Sequence, residues 1–111
     1  MSIIQWEDFE KIDIRVGTVI DVQEFPKARK PAYQLTIDFG ELGIKRSSAQ
    51  VTDLYDPGQL SGRQVIAVVN FPPKQIANFF SECLVLGVYT GKKEVVLLGP
   101  ERKVENGWKI G

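Results

Sequence analysis

The chain has 111 residues, which suits one domain with one hydrophobic core. The chain has 14 basic residues (lysine and arginine) and 14 acidic residues (aspartate and glutamate), so it has no net charge. A charged partner could therefore be bound only by a local patch of charge. One cysteine and no histidine exclude an internal disulfide and a structural zinc site, and they favour a reducing cytoplasm. The first residues lack the basic and apolar regions of a signal peptide, and no apolar run is long enough to span a bilayer.

Residues 5–12 predict a short helix that places Trp6, Phe9 and Ile12 on one side. We expect this apolar side to cover one end of a barrel. A contact between two subunits is the alternative, because exposed aromatic residues are also common in interfaces.

Residues 13–22 predict the first strand and the centre of the fold. One face of this strand would carry Ile14, Val16, Thr18, Ile20 and Val22, and the other would carry Arg15, Gly17, Val19 and Asp21. Such alternation of β-branched residues is typical of a strand with one buried face. Gly17 interrupts this strand, and such a glycine indicates a bulge or sharp coiling where a sheet closes on itself.

The remaining chain predicts short strands and no long helix. Residues 23–32 form a loop with two prolines, and a helical turn is expected near residues 53–55 within the connection 52–62. The expected strands are residues 33–39, 44–51, 64–70, 83–89 and 94–98, followed by a tail, 104–110, that returns to the sheet. This pattern predicts an all-β fold, and the bent first strand favours a five-stranded OB barrel over a β-sandwich.

The sequence contains no motif for nucleophilic, phosphate-binding or zinc-dependent catalysis. We therefore predict a protein that is not an enzyme, with no catalytic residue, no metal and no cofactor. Cys83 lies in an apolar run and the chain has no histidine that could activate it, which predicts an inert core thiol.

A cluster of basic residues predicts a binding surface. In an OB barrel the loop after strand 1 and the face of strands 2 and 3 bind oligonucleotides. We expect this surface to combine positive charge, hydrogen-bonding groups and one aromatic ring for stacking. The positive charge would come from Lys27, Arg29, Lys30, Lys45, Arg46 and Lys74. The hydrogen-bonding groups would come from Ser48, Gln50 and Asn70, and the ring from Phe71. The simpler alternative is a solvated charged loop beside a core aromatic residue, and Asn70 could instead hold a loop in place.

A peptide-binding surface is a second possibility. An apolar groove rimmed by basic residues would accept unfolded, apolar or acidic segments. Its aromatic lining would come from some of Phe25, Phe71, Phe79, Phe80 and Tyr89, unless these rings belong to the core.

Several segments together resemble the tRNA-binding domain that is appended to bacterial methionyl- and phenylalanyl-tRNA synthetases and shared with the EMAP-II and Arc1p group. They are DIRVGTV at 13–19, FPKA at 25–28, IDFG at 37–40, RSSA at 46–49, GRQV at 62–65, VNFPPK at 69–74 and SECLVL at 81–86. The match covers roughly residues 9–98. The free-standing CsaA group of export-related chaperones is similar in these segments and in the terminal VENGWKI at 104–110.

The resemblance implies one OB-fold domain over residues 1–111 that forms a homodimer through its N-terminal helix and C-terminal segment. It further implies a cytoplasmic chaperone that binds unfolded precursor polypeptides, with the export ATPase SecA as a partner. A free-standing tRNA-binding protein is the alternative. Synthetase-type domains commonly carry Ser-Gly after the third strand, whereas Ser48 is followed here by Ala49 and Gln50.

Overall fold

The computed structural model describes residues 1–111, which form nine short strands, two helices and one 3-10 turn. The elements in chain order are α1 (Trp6–Glu10), β1 (Ile14–Glu24), β2 (Tyr33–Asp38), the 3-10 turn (Gly40–Leu42), β3 (Ile44–Ala49), α2 (Pro57–Leu60), β4 (Gln64–Val68), β5 (Lys74–Ile76), β6 (Phe79–Ser81), β7 (Leu84–Val85), β8 (Gly87–Tyr89) and β9 (Val95–Leu97). No helix has the length and apolar composition needed to cross a membrane.

Five strands form one antiparallel sheet in the order β3-β2-β1-β4-β7, and β5–β6 and β8–β9 form two separate ribbons. The two edges of the large sheet meet where the Glu82 N–H donates to the Arg46 carbonyl at 2.7 Å. The Ser47 hydroxyl also donates to the Cys83 carbonyl at 3.0 Å across the same seam. These bonds nearly close the sheet into a barrel, which confirms the predicted OB fold.

The main core fills this barrel. Strand β2 alternates as predicted, with Tyr33, Leu35 and Ile37 buried and the residues between them partly exposed. Val65 and Leu60 are completely buried beside them. A second, smaller core, formed by Phe25, Ala32 and Phe79, lies apart from the first.

Strand β1 changes its buried face at a bulge. The pairing with β2 shifts between Val19 and Asp21, so Ile20 has no partner there and remains 47% exposed. Val19 is fully buried before the shift, and Val22 packs against the main core after it. The expectation of one regularly alternating buried face along β1 was therefore wrong: Val19 before the bulge and Val22 after it both reach the main core because the extra residue shifts the alternation by one, and Ile20 stays exposed.

Three further expectations need correction. Helix α1 buries none of its residues, and Trp6 is 81% exposed, so the helix does not cover an end of the barrel. The predicted fifth strand is divided into β7 and β8. The helical turn lies at α2, where Asp56 begins a capping box and Pro57 occupies the first turn, rather than at residues 53–55.

The tail returns to the sheet as predicted, although as a bonded segment and not as a strand. It runs along β1, where the Gly107 N–H donates to the Val16 carbonyl at 2.7 Å and the Val16 N–H donates to the Trp108 carbonyl at 3.0 Å. One isolated bridge pairs Arg15 with Lys109. This segment explains why Val16 is buried on the outer side of the barrel.

Candidate ligand-binding groove

A groove of about 560 Å³ lies beside β3, between the β1–β2 loop and strand β5. We call it the basic groove. Its lining is Lys27, Ala28, Arg29, Lys30, Ala32, Ser48, Gln50, Lys74, Gln75, Ile76 and Ala77. Six of these eleven residues belong to the predicted binding set, so the fold brings together side chains from three distant parts of the sequence.

The small core fixes the shape of the basic groove. The rings of Phe25 and Phe79 lie 5.3 Å apart, and Ala28 and Ile76 pack against this cluster. One wall, the β1–β2 loop, and the other wall, the β5–β6 ribbon, are therefore attached to the same apolar cluster. Burial of this cluster holds the two walls in place and leaves the basic side chains of the loop exposed.

Strand β3 provides the end of the groove between these walls. Ser48 lies on β3 and Gln50 follows just after the strand ends, so the alternation of the chain directs both to one side. Ser47 faces the interior, where it is 1% exposed. The backbone N–H of Ser48 donates to the Ser81 hydroxyl at 3.0 Å, which joins β3 to β6.

The charges of the groove have one sign. Lys27, Arg29, Lys30 and Lys74 line it, and no aspartate or glutamate does. The two side-chain ion pairs of the molecule, Arg15–Asp13 and Arg102–Glu101, involve none of these cations. The groove is therefore a local positive patch on a protein with no net charge, and it suits an anionic ligand.

The floor of the groove is apolar and small. It includes Ala28, Ala32 and Ile76, and no aromatic ring lines it. A nucleotide base would consequently find no ring to stack on, whereas short apolar side chains would find a surface of matching size.

Two of the predicted basic residues have other positions. Lys45 lies on the same face of β3 as the inward-facing Ser47, so it does not line the groove beside Ser48. Arg46 is on the outer face, but its guanidinium carbon lies 4.5 Å from the centroid of the Phe79 ring, and it donates to the Gln34 side chain at 3.1 Å. Arg46 therefore contacts the small core next to the groove.

Asn70 and Phe71 are also outside the groove lining. The Asn70 side-chain oxygen accepts from the Asp13 N–H at 2.9 Å, and its amide donates to the Lys11 carbonyl at 2.7 Å. This arrangement fits the structural alternative for Asn70. The Phe71 ring is 54% exposed, but it provides no platform inside the groove.

The contribution of β5 to the groove was not predicted from the sequence. Gln75, Ile76 and Ala77 follow Pro72 and Pro73, and because proline cannot donate to a strand ladder, these prolines favour a departure from the sheet. The turn that joins β5 to β6 begins at Ala77 with φ +53°, a conformation in which glycine is the usual residue. The sequence carries no glycine there, so it gave no ordinary signal for this ribbon.

A second cavity, of about 590 Å³, lies between the tail and the start of β1. It contains cations and carboxylates together, namely Arg15 and Lys103 with Glu41 and Glu105. Arg15 is already paired with Asp13 and donates to the Gly107 carbonyl at 3.0 Å. This cavity therefore lacks the single-sign charge of the basic groove.

A family model described as "Putative tRNA binding domain" matches residues 14–109. Among curated relatives, a methionine–tRNA ligase from Bdellovibrio bacteriovorus is 34% identical over 107 residues. That match covers 96% of this chain and 15% of the ligase. The chain thus spans about 15% of the length of the first curated relatives it matches.

Two similar solved structures have nearly the same length as this chain. A chaperone CsaA from Bacillus anthracis has 53% identity and a TM-score of 0.94, with 99% of this chain and 100% of that chain covered. A CsaA chaperone from Picrophilus torridus has 55% identity and a TM-score of 0.93, with coverage of 98% and 100%.

Proposed function

This chain belongs to the tRNA-binding domain family, and from that premise we propose that it is a CsaA-like chaperone that binds unfolded precursor polypeptides for export. In this proposal the protein works without catalysis or a cofactor, in the cytoplasm, and residues 1–111 form one domain. SecA is a candidate partner that would receive the bound precursor.

The observation that carries the proposal is the combination of a cationic rim and an apolar floor in the basic groove. Lys27, Arg29, Lys30 and Lys74 would attract acidic stretches, while Ala28 and other small apolar residues would contact apolar side chains of the same segment. The high identity with two CsaA chaperones over nearly the whole chain supports the same function.

Binding of tRNA is the second candidate. The family assignment favours it, and so does the group of four cations with no carboxylate among them. Since no aromatic ring lines the groove, tRNA would be held through its phosphates and not through stacking of its bases.

Salt separates the two candidates. About four phosphate contacts would reduce tRNA affinity about a hundredfold between about 50 and 200 mM salt. Apolar contacts with a polypeptide depend much less on salt. We therefore propose a salt titration of binding to tRNA and to reduced, carboxymethylated α-lactalbumin, side by side. Retained polypeptide binding at about 200 mM salt supports the chaperone, and binding to tRNA alone contradicts it.

We also propose that the protein is a homodimer. Trp6 is 81% exposed on α1, and Ile3 and Ile4 before it are 92% and 64% exposed. Trp108 in the tail is 56% exposed. A second copy would remove these large apolar surfaces from water. Light scattering at micromolar concentration should report twice the 12.5 kDa of one chain, and a monomer would refute the dimer.

A further inference from the structure

The two strands that border the basic groove present different surfaces to it. From β3 only Ser48 contributes, and Gln50 contributes from just beyond the end of the strand, so the two lie at alternate positions on one side of the chain. From β5 and its turn, the consecutive residues 74–77 all contribute. Consecutive residues line a cavity when the edge of a strand, with its backbone, faces the cavity.

This edge of β5 has no protein partner. Strand β5 pairs with β6 alone, in the register Lys74–Ser81, Gln75–Phe80 and Ile76–Phe79. No backbone hydrogen bond joins residues 74–76 to a segment outside the ribbon. An antiparallel strand directs half of its backbone groups away from its neighbour, so the outward groups of β5 are free on a strand that lines the groove.

We infer that an extended, acidic segment of a client polypeptide binds by adding to β5 as a third strand of the β5–β6 ribbon. The inference rests on the proposed chaperone function and specifies how the groove holds its client. Peptides commonly bind to exposed sheet edges in this way, with main-chain hydrogen bonds for affinity and side-chain contacts for selectivity.

The surroundings of the edge specify the chemistry of the added strand. In the added strand, alternate side chains would face the floor at Ala32 and Ile76, which accepts small apolar groups. Lys27 and Lys30 lie on the opposite wall, so the acidic side chains that alternate with these apolar groups would meet cations there.

The shortness of β5 limits the number of bonds. Three residues offer only a few outward groups, and Pro72 and Pro73 before them have no N–H to donate. The added strand would therefore be bound weakly and without a strict sequence requirement, which suits a chaperone that must release its client.

The test uses the full chain and two labelled peptides with the same side chains. One is a capped hexapeptide of alternating valine and glutamate, and the other is the same peptide with every backbone amide N-methylated. N-methylation removes the backbone N–H donors and blocks close approach of the strand, but it leaves the charge unchanged.

Strand addition predicts that the methylated peptide binds at least about tenfold more weakly, as measured by fluorescence anisotropy. Hydrogen exchange of residues 74–76 should be slowed only by the unmethylated peptide.

Equal affinities for the two peptides would overturn strand addition, because charge alone would then account for binding. Failure of the unmethylated hexapeptide to bind, while carboxymethylated α-lactalbumin still binds, would overturn this inference and leave the chaperone function standing. Binding of tRNA without either polypeptide would overturn both.

Discussion

The guanidinium carbon of Arg46 on β3 lies 4.5 Å from the centroid of the Phe79 ring on β6. This contact joins the large sheet to the ribbon that forms one wall of the basic groove. The backbone of Arg46 strengthens the same junction, because its N–H donates to the Glu82 carboxylate at 2.9 Å. Arg46 was predicted as a ligand contact, and its position gives it a role in holding the groove together.

Replacement of Arg46 should therefore affect stability. We expect Arg46→Ala to lower the free energy of unfolding by about 1 kcal/mol, since a cation over a partly covered ring contributes about that much. Arg46→Lys should recover only part of it, because an ammonium group does not stack flat on a ring. Urea denaturation measures both variants. Unchanged stability together with weaker ligand binding would instead show that Arg46 contacts the ligand.

Reversal of charge in the β1–β2 loop should weaken binding of anions. Lys27 and Arg29 line the groove from exposed positions, so Lys27→Glu combined with Arg29→Glu should leave the fold intact and reduce tRNA affinity at low salt by at least about tenfold. The matched control is Lys92→Glu with Lys93→Glu, which makes the same change of charge at exposed positions outside the groove. Equal effects of the two double variants would contradict the groove as the binding site.

Much of the fold could be predicted because strand signals are local. The alternation in β2 gave its buried residues, and the prolines on either side of the basic cluster indicated a loop. The cations of this loop, Ser48 on β3, Gln50 just after it, and Lys74 were all expected on one surface, and in the structure they line one groove.

The errors arose where position depends on tertiary contacts. Lys45 and Arg46 are neighbours in sequence, but the strand directs them to opposite faces. A bulge or sharp coiling was expected at Gly17, whereas the extra residue of β1 is Ile20, a position that the alternation of the strand does not reveal. Trp6 has the pattern of a residue that covers a core, although in one chain it remains exposed. A pattern of apolar residues cannot distinguish burial in the same subunit from burial against another.

Gly17 should tolerate no side chain. A β-carbon built at this position would lie 2.6 Å from Ile37 Cγ2 and 2.8 Å from Phe39 Cδ1, and both neighbours are completely buried. We expect Gly17→Ala to lower the free energy of unfolding by about 1–3 kcal/mol, as overpacking of a core usually does.

The control for Gly17 is Gly91→Ala, since a β-carbon at Gly91 would meet no atom within 4 Å. That variant should stay within about 0.5 kcal/mol of the natural protein in urea denaturation. If the two alanine variants were equally stable, β1 would not pass as close to β2 as the structure describes.

Asn70 should contribute to stability and not to binding. Its side chain makes two hydrogen bonds to the segment between α1 and β1, at Lys11 and Asp13. Asn70→Ala should lower the free energy of unfolding by about 1–2 kcal/mol, from two bonds at an exposed position. Asn70→Asp retains the acceptor for Asp13 but cannot donate to Lys11, so its loss should be intermediate. Affinity for tRNA, measured where both variants are folded, should be unchanged; a drop in affinity with normal stability would place Asn70 at the ligand.

Cys83 should make stability depend on pH in the alkaline range. Burial raises the pKa of its thiol from 9.0 to about 11, assisted by the carboxylate of Glu82 and opposed by Lys45 and the Ser47 hydroxyl. In the unfolded chain the thiol loses its proton near pH 9, whereas the folded protein retains it until about pH 11. The unfolded state therefore binds fewer protons in this range, so the contribution of Cys83 to stability is complete below pH 9 and is lost as the pH rises toward 11.

Comparison with Cys83→Ala isolates this contribution from other alkaline titrations. The difference in the free energy of unfolding between the natural protein and the variant should decrease between pH 8 and pH 10.5, and a constant difference would contradict the buried thiol. Reaction with a disulfide reagent gives a second measurement. At pH 8 the folded protein should contain about a hundredfold less thiolate than the chain unfolded in urea, and its labelling should be slower by at least that factor because the sulfur is also covered.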